Sequence, residues 1–238
     1  MPTSPLALLG LSFVLGLRHA LDVDHLTAVS TIVSERRSAW SASLVGAVWG
    51  LGHTTALLVV ALGIIALHTQ IPPAVANGLE LGVAAMLVGL GVNLLWTLRR
   101  GGRLHFHVHE HDGRRHVHPH VHHADEAHDV AAHDHGPSRR KPFLVGLVHG
   151  LAGSAALMLA VLATIPSPAV AVAYVLVFGV GSIGGMVVMS TILGLPFHFA
   201  AARLARVEGA LRAAAAVGSV AVGLGLAWRL GVEAGLFA

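Results

Sequence analysis

Residues 18–30 read RHALDVDHLTAVS, and how this stretch is read decides the fold. Arg18, His19, Asp22, Asp24 and His25 crowd together, while PLALLGLSFVLGL before them and LTAVSTIV after them are almost purely apolar. Charges in the middle of an apolar segment need a reason, because one Asp or Arg at the centre of a membrane helix costs roughly 2.5–3.5 kcal/mol. Several together call for pairing, water or a bound ion.

Working outward, the flanking runs and the motif make one apolar segment over 5–33. Further runs cover 41–67, 79–98, 143–165, 169–197 and 209–230. Each reaches the ~20 residues that cross a bilayer core. The 238-residue chain is 55% hydrophobic and 11% charged, whereas soluble domains are charged at about a quarter of positions. The runs are continuous rather than alternating, which argues against a transmembrane barrel. The expected fold is therefore all-α, a polytopic membrane protein with six transmembrane helices. The first span lacks the basic start and cleavage site of a signal peptide. No cysteine is present, so disulfides and thiolate metal sites are out.

Arg36 and Arg37 lie between the first two runs. Arg99, Arg100, Arg103, Arg114, Arg115, Arg139, Arg140 and Lys141 lie in the long central connection, and Arg203, Arg206 and Arg212 before the last run. The alternate connections, HTQIPPAVANG and IPSPA, carry no Lys or Arg. By the positive-inside rule the basic connections are cytoplasmic and both termini lie outside, in an inner (plasma) membrane. Basic residues placed this way read as topology signals, not as a nucleic-acid surface.

The chain also echoes itself. GLRHAL from Gly16 aligns with GLVHGL from Gly146, GAVWGLGH from Gly46 with GVGSIGGM from Gly179, and VGLG at Val88 with VGLG at Val222, at offsets of 130, 133 and 134. Two three-helix repeats are expected, over 1–98 and 142–238. An odd number of spans per repeat inverts one half, and inverted repeats are a transporter architecture with its site near the midplane.

On a regular helix His19, Asp22 and His25 share one stripe, with Arg18 four residues before Asp22 and able to pair with it. Asp24 points elsewhere and needs a second partner or an unwound turn. A structural Arg–Asp–His network is the plain alternative. Two imidazoles with two carboxylates, however, form a ligand set for Ni²⁺, Co²⁺ or Zn²⁺. His53, mid-span in GLGHTTALL behind Gly46, Gly50 and Gly52, is placed to reach the first span, since small residues let helices approach. His149 is the repeat-mate of His19, in a half that lacks the carboxylates; it lines the path or bonds a carbonyl. Ser154 and Met186 are pathway candidates that ordinary packing explains equally well. Glu80 reads as a solvated group near the outer end of its span.

RHALDVDHL resembles the signature of the nickel/cobalt transporter superfamily, a histidine, four residues, then Asp-His within a transmembrane helix: His19, Asp24 and His25, with Asp22 inside the spacing. LGHTT over 51–55 resembles that family's next-helix motif around a histidine, here His53. The second half looks more like the short urease-accessory-type branch. The resemblance implies that His19, Asp24, His25 and His53 recognise metal, with Asp22 beside them. From the helix spacing, Arg18 is expected to hold an aspartate in place.

Between the halves, 99–141 is expected to be a disordered cytoplasmic loop, because its composition cannot form a packed core. It carries His105, His107, His109, His111, His116, His118, His120, His122 and His123, and such tracts commonly bind metal. A solvated linker that binds metal only incidentally is the alternative. No GxxxxGK[ST] motif is present. The expectation is a secondary permease for uptake into the cytoplasm, not an enzyme, for nickel first, cobalt second and zinc third. It needs no resident cofactor, works in a lipid bilayer, and has a cytoplasmic metallochaperone as a candidate partner. The rivals are an efflux permease of the same fold and an intramembrane metal-dependent hydrolase, which lacks HExxH and a placed glutamate base.

Overall fold

The computed structural model describes residues 4–36, 38–67, 71–100, 104–111, 114–121, 140–151, 162, 164–203 and 205–233, with the backbone alone at 104–111, 114–121, 201–203, 205 and 233. Seven helices are described: α1 (Pro5–His19), α2 (Val23–Val33), α3 (Ala39–Leu67), α4 (Pro73–Arg99), α5 (Arg140–Leu151), α6 (Pro168–Arg203) and α7 (Ala205–Glu233). Strands β1 (Leu104–His111) and β2 (Arg114–Val121) lie between α4 and α5.

Among the described residues, four helices are long and apolar enough to cross a membrane: Ala39–Leu67, Pro73–Arg99, Pro168–Ala200 and Arg206–Val232. The α1–α2 pair, bent by 54°, makes a fifth if it is one span. Of the run expected at 143–165, helix is described only as far as Leu151, so a sixth crossing is not established among the described residues. Outward-facing side chains on these helices are themselves apolar, Leu6, Val59, Trp96 and Val180 among them. Burial and exposure of like residues on one helix is what a lipid-solvated helix shows.

Two expectations need correcting. The segment 5–33 is not one regular helix. It breaks at Ala20–Asp22, where Asp22 turns extended (φ −61°, ψ 143°) and takes the N-cap position of α2 without a side-chain capping bond. Aspartate favours that position, and Asp24 in the new first turn suits the positive end of the helix dipole. The Leu21 and Asp22 amides donate to Arg18 and His19 carbonyls at 2.9 and 3.1 Å, tightening the end of α1. Nor is the central connection structureless throughout. β1 and β2 pair antiparallel, with His105 opposite His120, His107 opposite His118 and His109 opposite His116. Strict alternation has the period of a strand, and pairing satisfies the backbone without a core.

α3 packs on α5 and α6, α1 on α6, and α4 on α7. Exchanging α1 for α5 and α3 for α6 reproduces this pattern. Glycines repeat it in detail. A Cβ on Gly16 would strike the Phe178 carbonyl oxygen, and one on Gly146 the Trp49 carbonyl oxygen. A Cβ on Gly91 would stand 2.5 Å from the Ala216 oxygen, and one on Gly223 2.7 Å from the Ala84 oxygen. These contacts match Trp49 with Phe178, an offset of 129 (178 − 49), and Gly91 with Gly223, an offset of 132 (223 − 91). The sequence alignment offsets of 133 and 134 are therefore displaced, the first by one helical turn. Small residues recur about every turn on these faces, so a one-turn slip preserves the pattern.

Candidate metal centre

The break in the first span builds the site. α1 ends on His19, Asp22 occupies the break, and Asp24 and His25 lie in the first turn of α2. α3 brings His53 and α5 brings His149. His19, His25, His53 and His149 are all buried, the last three completely. Their rings cluster: centroids lie 4.5 Å apart for His19 and His25, 5.1 Å for His19 and His53, 5.0 Å for His25 and His53, and 4.1 Å for stacked His25 and His149.

The carboxylates orient the rings. His19 Nδ1 donates to Asp22 Oδ2 at 2.9 Å. In a neutral ring this leaves His19 Nε2 bare, so it accepts from His53 Nε2 at 3.1 Å. His149 Nε2 donates to Asp24 Oδ2 at 2.8 Å, and His25 Nδ1 faces Asp24 Oδ1 at 3.3 Å. Among the described residues, His25 Nε2, His53 Nδ1 and His149 Nδ1 are left buried with no hydrogen-bond partner. Uncompensated polar nitrogens are costly in an apolar interior, and a cation would satisfy some of them. Two triplets of donors each lie within 4.8 Å of one another: His19, His25 and His53, and Asp24, His25 and His149. Three donors held on one ion at ~2.1 Å in trigonal or tetrahedral geometry stand ~3.4–3.6 Å apart, so a closure of at most about 1.4 Å completes either set.

His19, Asp22, Asp24, His25 and His53 thus come together as the spacing suggests. Asp24, off the stripe of a regular helix, gains both the unwound turn and the second partner it needs. Arg18 is exposed and forms no ion pair with Asp22 among the described residues. The helix stops at His19, which destroys the four-residue spacing, and His19 takes the aspartate instead. His149 bonds a carboxylate and not a carbonyl. Met186 is buried in the same core cluster as Trp49. Ser154, His122 and His123 lie outside the described residues, and His105, His107, His109, His111, His116, His118 and His120 are described by backbone alone.

Sequence reasoning missed the walls. Trp49 lies 5.4 Å from His25 and 5.7 Å from His149, and Phe178 5.5 Å from His19, ring to ring. Trp49 sits one turn before His53 on α3, a signal available in the sequence; Phe178 offered none. A cavity of about 370 Å³ runs from Asp22, Val23 and Asp24 to Glu80 and Arg229. Glu80 is not simply solvated, since it pairs with Arg229 at 3.8 Å.

The sequence profile of the high-affinity nickel-transport protein family, NicO, matches residues 6–227. The chain belongs to the NicO family. Its relative "Urease accessory protein UreH" from Bacillus sp. (strain TB-90) is 34% identical over 232 residues, covering 98% of this chain and 95% of the relative. No solved structure matches. As a NicO member the protein is a transporter and not an enzyme, and nickel transport is the activity its family indicates.

Proposed function

We propose that the protein moves Ni²⁺ into the cytoplasm across the inner membrane, as a secondary permease accepting Co²⁺ next and Zn²⁺ third. His19, Asp24, His25 and His53 replace the water shell of the ion. Asp22 fixes the His19 ring, since a bonded partner on one ring nitrogen orients the other toward a metal. The observation that carries this reading is the convergence of buried imidazoles and one carboxylate at a break in an apolar span. Irregular backbone at membrane depth is tolerated where it lines a cavity, and broken helices mark transporter sites.

The same reading takes 1–98 and 142–238 as two inverted three-helix halves, joined by 99–141 on the cytoplasmic side with both termini outside. The reciprocal glycine contacts and the symmetric packing support it. Inward movement follows from the membrane potential, which favours entry of a dication by about 4.6 kcal/mol per 100 mV without another coupled ion. The relative's urease-accessory name also favours uptake, because metal supplied to an enzyme inside must move inward. The central histidine tract collects arriving ions and passes them to a cytoplasmic metallochaperone.

The test is flux of Ni²⁺, Co²⁺ and Zn²⁺ into liposomes carrying wild type, His19→Ala or His25→Ala. Nickel should move fastest, and both variants should fall to the protein-free rate. Undiminished flux in both variants overturns the site.

A further inference from the structure

His25 belongs to both donor triplets. Its Nδ1 faces Asp24, and its Nε2 is buried with no hydrogen-bond partner among the described residues. One ring therefore has a second nitrogen to offer besides the one that faces Asp24. The two sets differ in chemistry and in access. Asp24, His25 and His149 include a carboxylate whose side chain is 19% exposed and which lines the cavity leading to Glu80 and Arg229. His19, His25 and His53 are three buried imidazoles.

Resting on the proposed transport reading, we infer that the cation occupies two successive stations that share His25, with Asp24, His25 and His149 first and His19, His25 and His53 second. The order follows from exposure: an ion in the cavity meets the Asp24 carboxylate before any fully buried ring. The first station offsets part of the dication's charge with a carboxylate while two imidazoles begin to strip its water. The second station has no neutralising ligand of its own, so it holds the ion only in passing. It also filters. Imidazoles suit nickel, zinc and iron, whereas carboxylate and carbonyl oxygens suit magnesium, calcium and manganese. A hard ion that reaches Asp24 finds no oxygen donor in the second set. Sharing His25 makes the stations mutually exclusive while each holds three donors, so the ion steps across one imidazole ring and neither station need release it to water. His149 comes from beyond the central connection, so the first station ties the two halves together and the second does not.

The experiment measures initial Ni²⁺ uptake against concentration in right-side-out vesicles carrying the full chain, for His149→Gln, His53→Gln and His25→Gln, normalised to folded protein in the membrane. Glutamine keeps a polar group at each position and limits loss of folding; Asn at the same positions provides a second series. Losing a first-station ligand should raise KM for nickel about tenfold with little change in maximal rate. Losing His53 should lower the maximal rate about tenfold with KM little changed, and His25→Gln should damage both. If His149→Gln and His53→Gln shift KM and maximal rate alike while His25→Gln abolishes uptake, there is one site, and the relay is wrong though the transport reading stands. If none of the three changes uptake, the relay and the site fall together.

Discussion

The two halves of the molecule pack alike and differ in chemistry. Gly16 lets α1 touch α6 at Phe178, and Gly146 lets α5 touch α3 at Trp49. At the depth where α3 carries His53, the same register places Ser182 on α6 (53 + 129 = 182). Both side chains are buried. Yet among the described residues four of the five donors in the two triplets come from residues 19–53, and His149 alone comes from the other half. Close backbone approach is a property of both halves, whereas ligand chemistry is concentrated in one. Small residues suffice for packing in a membrane, where close contact and not water exclusion holds helices together. A site for one ion needs no second copy.

The comparison breaks most visibly at the glycines. Gly16→Val and Gly146→Val each drive a side chain into a backbone carbonyl that cannot rotate away, so each should cost about 3 kcal/mol or more. Loss of monodisperse protein in detergent should be equal for the two. A large loss in one half and tolerance in the other would show that the halves do not pack alike. Next comes chemistry at matched depth. His53→Ala should lower nickel flux by about 10–100-fold. Ser182→Ala removes a buried hydroxyl that has no hydrogen-bond partner among the described residues; it should leave flux unchanged and stability within about 0.5 kcal/mol. Equal losses in flux would mean that the second half supplies ligands too. The smallest effect should come from replacing 104–121 by a Gly/Ser linker of equal length. Initial flux at saturating nickel should persist, while the nickel retained by cells at low supply should fall. Unchanged retention at both low and high nickel would leave the hairpin without a transport role.

Much of the site was legible because its elements are local. His19, Asp22, Asp24 and His25 stand within one short stretch, and no ordinary apolar span tolerates them. His53 announced itself as a polar group in a glycine-rich span. Even the awkward placement of Asp24 pointed to an unwound turn. Other features were illegible for a common reason. Arg18 looked like a partner for Asp22 because a regular helix was assumed, and the break removes that geometry. The hairpin was masked by a composition that argues against a core, although alternating histidines carry the strand period. Glu80 looked solvated until α7 brought Arg229 against it.

From the amino-acid order alone came the membrane setting, the borderline-metal ligand set and the family resemblance, because each depends on residue type and near spacing. Tertiary structure decided that Asp24 bonds His149 across 125 residues, that Trp49 and Phe178 wall the rings, and that α3 and α6 register one turn away from their apparent alignment. Such contacts join helices far apart in the chain. Apolar surfaces dotted with small residues allow several registers at nearly equal cost, and only packing in three dimensions selects one.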